Sequence, residues 1–459
     1  MKITVLMKLF RGEVNPFDGA ALECALEWGA EITVVSMAPK SAMPALENLT
    51  RLGVRVVLIS DPMYAGSDTQ ATSYVLACAL EKLSPDLIFA GRQSMDGDTA
   101  QVPPMLAERL GLDLVSGVME FDRGSMKTRC GAAASPERGA IVTFERIRTL
   151  RFPSIFSKKG VVEVWDNATL ACDADKCGTA GSPTRVIRSY ESAIGRRDCR
   201  YCAPNALDTL IKESLTRERK KQRESAAEKA DLIYYVGDIR EIAEQYAVRA
   251  VALDVKGKSP REVADMPELL GAKVVLFESN NEYRSLAARV AVLTGAGLCA
   301  DCVSFRCDGE AFVMTRPALG GNVTADIVSG AEMAFATVRS TKDAGEEIIF
   351  SVGRGAVDSI GEIRALAERY GATITCSRVL TDNGVMPYEA QVGITGRTVS
   401  PRVYVAFGIS GAVQHTAAIS GATTVIAVNT DKNARIFDYS DYGIVADVKE
   451  LLQKQGEAI

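Results

Sequence analysis

The residues best suited to chemistry lie in the segment RVYVAFGISGAVQHTAAI (402–419), which holds the single histidine of the chain, His415. An apolar run ends there at Gly408-Ile409-Ser410-Gly411, and we expect a helix to begin at once and to carry His415 in its first turn. Gly408 and Gly411 would let the backbone approach a pyrophosphate, and Ser410 would add a hydroxyl. An ordinary tight turn has the same pattern, so the pattern alone leaves both interpretations open.

A second polar turn follows the apolar run DLIFAG (86–91). Asp96-Gly97-Asp98-Thr99 precedes a predicted helix that ends at Gly111, with Thr99 as its cap and Pro103 in its first turn. Open α/β sheets bind nucleotides at the carboxyl ends of their strands, where backbone N–H groups face the ligand. The sequence therefore predicts two candidate nucleotide sites, one at each turn.

The motif content excludes several classes of catalyst. With one histidine, Ser/His or Cys/His catalysis requires a site that contains His415, and a metal centre with two imidazoles is excluded. The sequence has no Walker A, Gly-x-Gly-x-x-Gly or Ser-Gly-Gly-x-Asp-Ser motif, so phosphoryl transfer and dinucleotide dehydrogenase chemistry are poorly supported. Two Cys-x-x-Cys pairs, Cys199/Cys202 and Cys299/Cys302, are typical of zinc sites. Because they stand far apart in the chain, we expect unlinked thiols and no metal.

The composition is that of a globular protein with several cores. The chain has 459 residues, 47% hydrophobic and 24% charged, and about 150 residues per domain would give about three domains. The net charge of -5 argues against nucleic acid as a partner, and the basic run at 216–224 is expected to be a solvated linker. The sequence contains neither a signal region nor a run of ~18 apolar residues, so we expect a cytoplasmic protein without a membrane span.

Apolar runs and amphipathic segments alternate in three rounds, which predicts an α/β fold of doubly wound parallel sheets. Residues 120–190 lack helical faces and are expected to form an antiparallel extension or arm. The predicted domains are 1–215, 227–340 and 345–459, with a charged linker at 216–226. The apolar runs fall at 3–7, 32–37, 54–60 and 86–91, then at 231–236, 248–255 and 272–279, and finally at 347–353, 372–376, 402–407 and 423–428.

Ordered motifs in the third round carry a family resemblance. They are Gly353-Arg354-Gly355, Ser377-Arg378, Gln391-Val392-Gly393-Ile394-Thr395-Gly396, Gly408 through His415, Ala427-Val428-Asn429 and Asp441 through Asp447. Together they resemble the alpha subunit of electron transfer flavoproteins, in its flavodoxin- or Rossmann-like FAD-binding domain.

Motifs in the first two rounds carry the rest of the resemblance. They are Asn15-Pro16-Phe17-Asp18, residues 91–111 and 181–186, then Arg316-Pro317, Gly321-Asn322 and Thr337-Val338-Arg339. The first three resemble the beta subunit, and the others resemble a shortened N-terminal domain of the alpha subunit. The chain therefore looks like a beta–alpha fusion in which residues 1–215 are beta-like.

The resemblance implies roles for residues of the third round toward FAD. Arg354 would contact the pyrophosphate or ribityl region, and Arg378 would favour the anionic reduced flavin. Thr395 would lie near flavin N5, and His415 would face the pyrimidine carbonyl. The full set is Arg354, Ser377, Arg378, Gln391, Val392, Gly393, Ile394, Thr395, Gly408, Ser410, Gly411, Ala412, Val413, Gln414, His415, Asn429, Asp447 and Val448.

The resemblance also implies a second nucleotide in the beta-like part. It is AMP in members that only carry electrons and a second FAD in electron-bifurcating members, which residues 97–102 resemble more. The family loop before Asn15 is reduced here to residues 10–14. The implied contacts are Asn15, Pro16, Phe17, Asp18, Met37, Asp96, Gly97, Asp98, Thr99, Ala100, Gln101 and Val102.

The resemblance implies an electron carrier rather than an enzyme that converts a bound metabolite. Electrons would pass through FAD from a flavin dehydrogenase, such as an acyl-CoA dehydrogenase, to a downstream acceptor, with bifurcation involving NADH and ferredoxin as a variant. The partner-recognition loop near Glu145–Pro153 is short, so the identity of the partner does not transfer. The alternative hypothesis is a non-redox adenine-nucleotide sensor on the same fold.

Overall fold

The computed structural model describes residues 1–122, 124–129, 131–191, 195–218, 228–309, 311–319, 323–339, 346–393 and 396–456. Two predicted FAD contacts, Ile394 and Thr395, and most of the predicted linker at 216–226 lie outside these residues. None of the helices in the described ranges combines the length and the apolar character that crossing a membrane requires.

The first part of the chain builds a mostly parallel sheet. Its elements are β1 (Lys2–Leu6), β2 (Leu9–Phe10), β3 (Glu13–Val14), α1 (Pro16–Trp28), β4 (Glu31–Met37), α2 (Met43–Thr50), β5 (Arg55–Ile59), α3 (Thr69–Leu83), β6 (Leu87–Gly91), α4 (Val102–Leu110), β7 (Asp113–Phe121), β8 (Ser125–Thr128), β9 (Gly131–Ala134), β10 (Ala140–Phe144), β11 (Val162–Trp165), α5 (Asn167–Leu170) and β12 (Thr184–Glu191). The strand order is β11-β5-β4-β1-β6-β10-β7-β8-β9. Strands β8 and β9 are antiparallel, which confirms the predicted extension for residues 125–134. The prediction is wrong for β10 and β11, which pair in parallel with strands of the main sheet.

The direction of winding reverses between β1 and β6. From β1 the chain moves to β4 and β5 on one side, and it then returns to place β6 on the other side. At such a reversal the loops after two neighbouring strands separate and leave a crevice at the carboxyl edge of the sheet. The candidate site at the turn Asp96–Thr99, which follows β6, lies at this edge.

The middle of the chain begins with β13 (Arg200–Tyr201) and α6 (Leu207–Leu215) and then builds another parallel sheet. Its further elements are β14 (Ala230–Val236), α7 (Arg240–Tyr246), β15 (Ala247–Ala252), α8 (Pro260–Ala264), β16 (Val274–Glu278), α9 (Asn281–Thr294), β17 (Gly297–Cys302), β18 (Ser304–Asp308), β19 (Ala311–Ala318), β20 (Val323–Ser329) and β21 (Ala334–Val338). The parallel order is β15-β14-β16-β21-β17, and a smaller sheet has the order β12-β20-β19-β18. Cys299 and Cys302 are buried in β17.

The last part of the chain is a fully parallel sheet. Its elements are β22 (Ile348–Val352), α10 (Ile360–Tyr370), β23 (Thr373–Cys376), α11 (Arg378–Asp382), β24 (Val403–Phe407), α12 (Val413–Thr416), β25 (Thr424–Asn429), β26 (Tyr442–Val445) and α13 (Val448–Gly456). The order is β13-β26-β25-β24-β22-β23, so the winding reverses between β22 and β24. Strands β22, β24 and most of β25 are buried throughout because helices and turns cover both faces, which explains their unbroken apolar runs.

The chain divides into two compact units. The larger unit comprises Met1–Ser189, Ala226–Leu319 and Ala325–Val338, and the C-terminal unit comprises Tyr190–Ser225, Gly320–Thr324 and Arg339–Ile459. The first domain is predicted to end at residue 215, whereas the C-terminal unit already includes the chain from Tyr190 onward. The reason is that β13 pairs with β26. Helix α6 likewise buries Leu207, Leu210 and Ile211 in the core of the C-terminal unit. The sequence placed this segment with the beta-like part because its partners in the sheet and core follow it by more than a hundred residues.

Candidate functional site

The loops after β22 and β24 pack directly on each other at the reversal point of the C-terminal unit. The Gly353 N–H donates to the Phe407 carbonyl (2.8 Å), and the Gly355 N–H donates to the Gly408 carbonyl (3.1 Å). A Cβ on Gly353 would lie 2.3 Å from the Gly408 oxygen. Gly408 has φ +62°, and its own Cβ would lie 2.5 Å from the Ala356 nitrogen. Glycine is thus required here by the contact between the two loops, whatever else binds above them.

Residues 410–415 continue this edge with alternating exposure. Ser410, Ala412 and Gln414 are exposed, whereas Val413 and His415 are buried. Gly411 has φ +86°, and a Cβ there would lie 2.1 Å from the Ile436 nitrogen. The helix predicted after Gly411 is short, since α12 is a single turn followed by a 3-10 turn. A single turn has little macrodipole, so anion contacts here would come from local N–H groups and the Ser410 hydroxyl.

His415 lies in a buried polar pocket of its own unit. Its Nε2 is 2.8 Å from the Tyr404 hydroxyl, and its Nδ1 makes no hydrogen bond within the described ranges. Burial lowers the pKa of His415 to about 4, and a contact of the ring with the Val392 backbone, outside normal hydrogen-bond geometry, opposes this only in part. At neutral pH the ring is uncharged and can act as a hydrogen-bond donor but not as a cation. Tyr404 was missed by sequence reasoning, because a tyrosine inside an apolar strand carries no pattern that marks it as a site residue.

The two predicted arginines lie at the ends of neighbouring strands. Arg354 begins the 3-10 turn after β22 and is exposed. Arg378 begins α11 after β23, and its Nε lies 3.2 Å from an oxygen of Asp382. Ser377 precedes α11, and its N–H donates to the Val352 carbonyl (2.9 Å). Sequence reasoning missed Asp382, although the spacing of four residues from Arg378 on a helix was a signal for this pair.

The segment Gln391–Gly393 is held mainly by contacts within the protein. The side-chain carbonyl of Gln391 accepts a hydrogen bond from Thr381 (3.1 Å). The three backbone N–H groups donate to the carbonyls of Tyr388, Cys376 and Arg397. In this conformation these three N–H groups therefore cannot donate to a cofactor, which leaves carbonyl groups such as that of Val392 for a backbone contact.

Three further residues of the predicted FAD set, Asn429, Asp447 and Val448, play different parts in the fold. Asn429 closes the loop after β24, because its amide donates to the Ile409 carbonyl (2.9 Å). Asp447 is exposed, and its carboxylate accepts the N–H groups of Lys449 (2.9 Å) and Glu450 (3.1 Å) at the start of α13. Val448 is buried in the hydrophobic core, so its side chain supports α13 and does not face outward.

In the larger unit, Asp18 joins helix α1 to the carboxyl edge of the sheet. Its two oxygens accept the N–H groups of Lys8 and Gly91, each at 2.8 Å. Burial raises the pKa of Asp18 to about 6, and these hydrogen bonds limit the rise. Phe17 is fully buried, and a Cβ on Gly91 would lie 2.6 Å from the Phe17 Cβ. Pro16 occupies the first turn of α1.

Asn15 and the turn at 96–98 come together above this edge. The Asn15 amide donates to the Gln93 carbonyl (2.9 Å), while its side-chain oxygen is buried and unpaired among the described residues. Asp96 forms an ion pair with Lys8 (2.8 Å), and the buried Asp98 accepts a hydrogen bond from the Gln93 side chain (3.2 Å). The Gly97 N–H donates to the Asp96 carboxylate (2.7 Å).

The remaining residues of this predicted set lie around the same edge. Met37 ends β4, next to β1. The buried side chain of Gln101 links α3 to β17. Its oxygen accepts a hydrogen bond from the Thr69 hydroxyl (2.8 Å), and its amide donates to the Leu298 carbonyl (3.4 Å). The predicted cap at Thr99 is wrong, because α4 begins at Val102 and Gln101 stands at the cap position, where its side chain makes no capping hydrogen bond. The prediction of proline in the first turn of α4 is confirmed.

The two edges offer different chemistry. The edge of the larger unit presents carboxylates and amides, which suit ribose hydroxyls and the adenine amino group better than a phosphate. The edge of the C-terminal unit presents Arg354, Arg378, Ser410 and the neutral His415, which suit a pyrophosphate and an electron-rich ring. Across the described ranges, no three histidine, cysteine, aspartate or glutamate side chains are grouped to hold a metal ion.

Comparison with known proteins assigns both halves of the chain. The family model "Electron transfer flavoprotein domain" matches residues 4–150 and 220–347, and the model "Electron transfer flavoprotein FAD-binding domain" matches residues 344–420.

Similar proteins divide between the two ends of the chain. The electron transfer flavoprotein subunit beta of Clostridium acetobutylicum is 37% identical over 198 residues, which is 39% of this chain and 76% of that protein. Protein FixA of Azorhizobium caulinodans is 34% identical over 245 residues, 47% of this chain and 86% of that protein. The subunit alpha of Mycobacterium tuberculosis is 32% identical over 239 residues, 43% of this chain and 74% of that protein. The beta match falls in the N-terminal part and the alpha match in the C-terminal part. The chain therefore belongs to the electron transfer flavoprotein family, with beta-like and alpha-like parts joined in that order and an FAD-binding domain at the C-terminus.

Proposed function

We propose that this chain accepts electrons from a flavin dehydrogenase of the acyl-CoA dehydrogenase type and passes them to a downstream acceptor. The family assigns electron transfer and FAD, and the partners are the proposed part. The observation that carries the proposal is the reversal point of the C-terminal unit. There the loops after β22 and β24 meet, and Arg378 and His415 belong to the same unit.

The residues of this edge fit FAD in charge and in hydrogen-bonding capacity. FAD supplies the redox chemistry, and the protein binds, orients and tunes it. Arg354 and Ser410 are exposed and would hold the pyrophosphate, while the Arg378 guanidinium would favour negative charge on the ring. The Nδ1 of His415 is a buried polar atom with no partner in the described ranges, and a ring carbonyl would satisfy it. Its low pKa makes this a neutral hydrogen bond.

We propose that the edge of the larger unit binds a second nucleotide, either AMP or FAD. The unpaired buried oxygen of Asn15 and the carboxylates of Asp96 and Asp98 offer acceptors for an adenosine group. Electron bifurcation would require a flavin at this position. The number of flavins per chain therefore decides between a simple carrier and a bifurcating one.

An exposed apolar segment of the larger unit would serve as the docking surface for a redox partner. Phe152, Ile155 and Phe156 are 95%, 85% and 87% exposed. The segment is nevertheless held in place, since the Arg51 guanidinium donates to the Ser154 (2.9 Å) and Ser157 (3.2 Å) carbonyls. Apolar side chains displayed together on an anchored loop are typical of protein–protein contact sites.

The test follows flavin absorbance in the FAD-loaded protein while an acyl-CoA dehydrogenase and its substrate deliver electrons anaerobically. We expect bleaching of the bound flavin, slowed several-fold or more in the double variant Phe152→Ser/Phe156→Ser. Val248→Ser is the matched control, because Val248 is 75% exposed on another part of the same unit. Equal rates in the two variants would contradict the docking surface. Failure of several flavin dehydrogenases to reduce the flavin would contradict the proposed electron source.

A further inference from the structure

A cavity in the larger unit is lined by residues that belong to neither nucleotide edge. Its volume is about 550 Å³, and it is bounded by α3, the end of α4, residues between 175 and 185 and the end of α9. None of its described lining residues is in either set of predicted nucleotide contacts. One wall comes from the segment 181–186, which carried part of the family resemblance and has no role in the proposed function.

Hydrogen bonds between neighbouring elements hold this wall in place. A carboxylate oxygen of Asp68, the cap of α3, accepts the Thr184 N–H (3.0 Å) and the Thr184 hydroxyl (2.6 Å). The Asp68 N–H donates to the Ser182 hydroxyl oxygen (2.8 Å). On another side of the cavity, the Gln70 amide donates to the Ala291 carbonyl of α9 (2.6 Å). The elements around the cavity are therefore bonded to one another without a ligand.

Positive charge dominates the lining of the cavity. Arg109, Lys176 and Arg185 are the cations among the described lining residues, and Asp175 is the one carboxylate. This excess stands out in a chain whose net charge is -5. Lys176 lies 3.4 Å from a carboxylate oxygen of its neighbour Asp173, where both side chains are exposed to solvent. Such an exposed pair is weak and leaves the ammonium group available to a ligand.

Arg109 is the least exposed of the three cations and has neutral partners. Its Nε donates to the Ser73 hydroxyl (2.9 Å), and its Nη2 donates to the side-chain oxygen of Gln70 (2.8 Å). No carboxylate in the described ranges forms an ion pair with this guanidinium. Burial lowers the pKa of Arg109, and Asp68 is the one carboxylate whose charge opposes this. A partly buried cation without a paired anion favours an anionic ligand beside it.

The remaining lining suits the organic part of such a ligand. The Tyr74 ring lies between the two groups of contacts, with the Arg109 Cζ 5.7 Å and the Lys176 Nζ 5.6 Å from its centroid. Pro183 and Val292 add apolar surface. Guanidinium and ammonium groups are the usual protein partners of phosphate. The volume is in the range of about 300–1,000 Å³ that is typical of small-molecule sites, which is more than a phosphate group alone requires.

We propose that this cavity binds an organic phosphate of nucleotide size. Arg109 and Lys176 pair with the phosphate, and the Tyr74 ring and the apolar wall contact the organic part. The proposal concerns a site other than those of FAD and of the second nucleotide, so it stands or falls independently of the proposed electron transfer partners.

The test is calorimetric titration of the purified full-length protein, with its retained nucleotides, using ADP, inorganic pyrophosphate and adenosine as probes. We expect ADP to bind most tightly, pyrophosphate more weakly and adenosine most weakly. Hydrogen–deuterium exchange locates the site, and ADP should slow exchange in peptides that cover residues 174–186. Protection of residues 92–102 alone would place ADP at the second-nucleotide edge and overturn the proposal. Equal affinity for ADP and pyrophosphate would overturn the organic part of the assignment.

Charge-removing variants identify the residues that bind ADP. Arg109→Gln should weaken ADP binding about tenfold or more, because a charged hydrogen-bonding partner is lost. Lys176→Gln/Arg185→Gln should weaken it several-fold, and this double variant alters exposed side chains, so its folding is not at risk. Arg249→Gln is the matched control, because it removes the same charge from an exposed position on β15 of the same unit. Wild-type protein that does not bind ADP, or a double variant that binds it as tightly as Arg249→Gln does, would overturn the proposal.

Discussion

The substitution Gly408→Ala tests the contact between the loops after β22 and β24. An alanine at φ +62° would place its Cβ 2.5 Å from the nitrogen of Ala356 and 2.5 Å from the carbonyl carbon of Gly355. Both are backbone atoms, so the collision cannot be relieved by rotating a side chain. The left-handed backbone costs an alanine roughly 1–2 kcal/mol. Overpacking against backbone adds about 1–3 kcal/mol.

Gly371→Ala separates these two costs. Gly371 ends α10 in the same unit with the same φ of +62°, but a Cβ there meets nothing within 4 Å. It therefore carries the left-handed cost alone, and the change in the unfolded chain is the same for both substitutions. Gly408→Ala should destabilise the C-terminal unit by about 1–3 kcal/mol more than Gly371→Ala.

The assay is urea unfolding of the FAD-free protein, followed by hydrogen–deuterium exchange of peptides that cover β22 and β24. Trp28 and Trp165, the two tryptophans of the chain, both lie in the larger unit, so their fluorescence serves as an internal control. We expect earlier exchange in the peptides and an unchanged tryptophan transition. Equal destabilisation by the two alanine variants would refute the loop contact and the requirement for glycine at residue 408.

Three further outcomes are expected. His415→Ala should retain FAD with a lower reduction potential between pH 6 and 8, because a neutral donor is lost; an unchanged potential in a redox titration argues against that role. Arg378→Ala should lower the same potential by the equivalent of about 1–4 kcal/mol, the interaction of two charges roughly 4 Å apart, whereas the exposed Arg364→Ala should not. Burial raises the pKa of Asp18 from 3.8 to about 6, so its folded form binds the proton more tightly and stability falls as pH rises through this range. Asp18→Asn should remove up to about 3 kcal/mol of this decline between pH 4 and 6.5. The free energy of unfolding is measured at each pH by tryptophan fluorescence. A difference from the wild type that does not change with pH would contradict the raised pKa of Asp18.

The alternation of elements was predictable from sequence because it depends on local composition. The mainly apolar runs at 347–353 and 402–407 correspond to β22 and β24, and the turns after them lie at the carboxyl edge where parallel strands place them. The helix cap at Thr99 failed for a local reason. Asp98 and Ala100 adopt positive φ angles, and this irregular turn delays the start of α4 to Val102.

Other features depend on contacts between distant residues and were beyond local pattern. The assignment of 190–215 to the C-terminal unit requires the pairing of β13 with β26. The pair Tyr404 and His415 arises because α12 turns back over β24, which no spacing in the sequence encodes. The sequence pattern marked the glycines at 353 and 408 for access to a ligand, whereas the structure shows that the packing of the two loops requires glycine at both positions.

The most direct test of the account is the nucleotide content of the purified protein, extracted and quantified per chain. We expect one FAD held by the C-terminal unit together with a second nucleotide, AMP or FAD, in the larger unit. Gly408→Ala should lose the first FAD while the second nucleotide remains. A protein that carries AMP alone and takes up no FAD on reconstitution would contradict the account and support an adenine-nucleotide sensor.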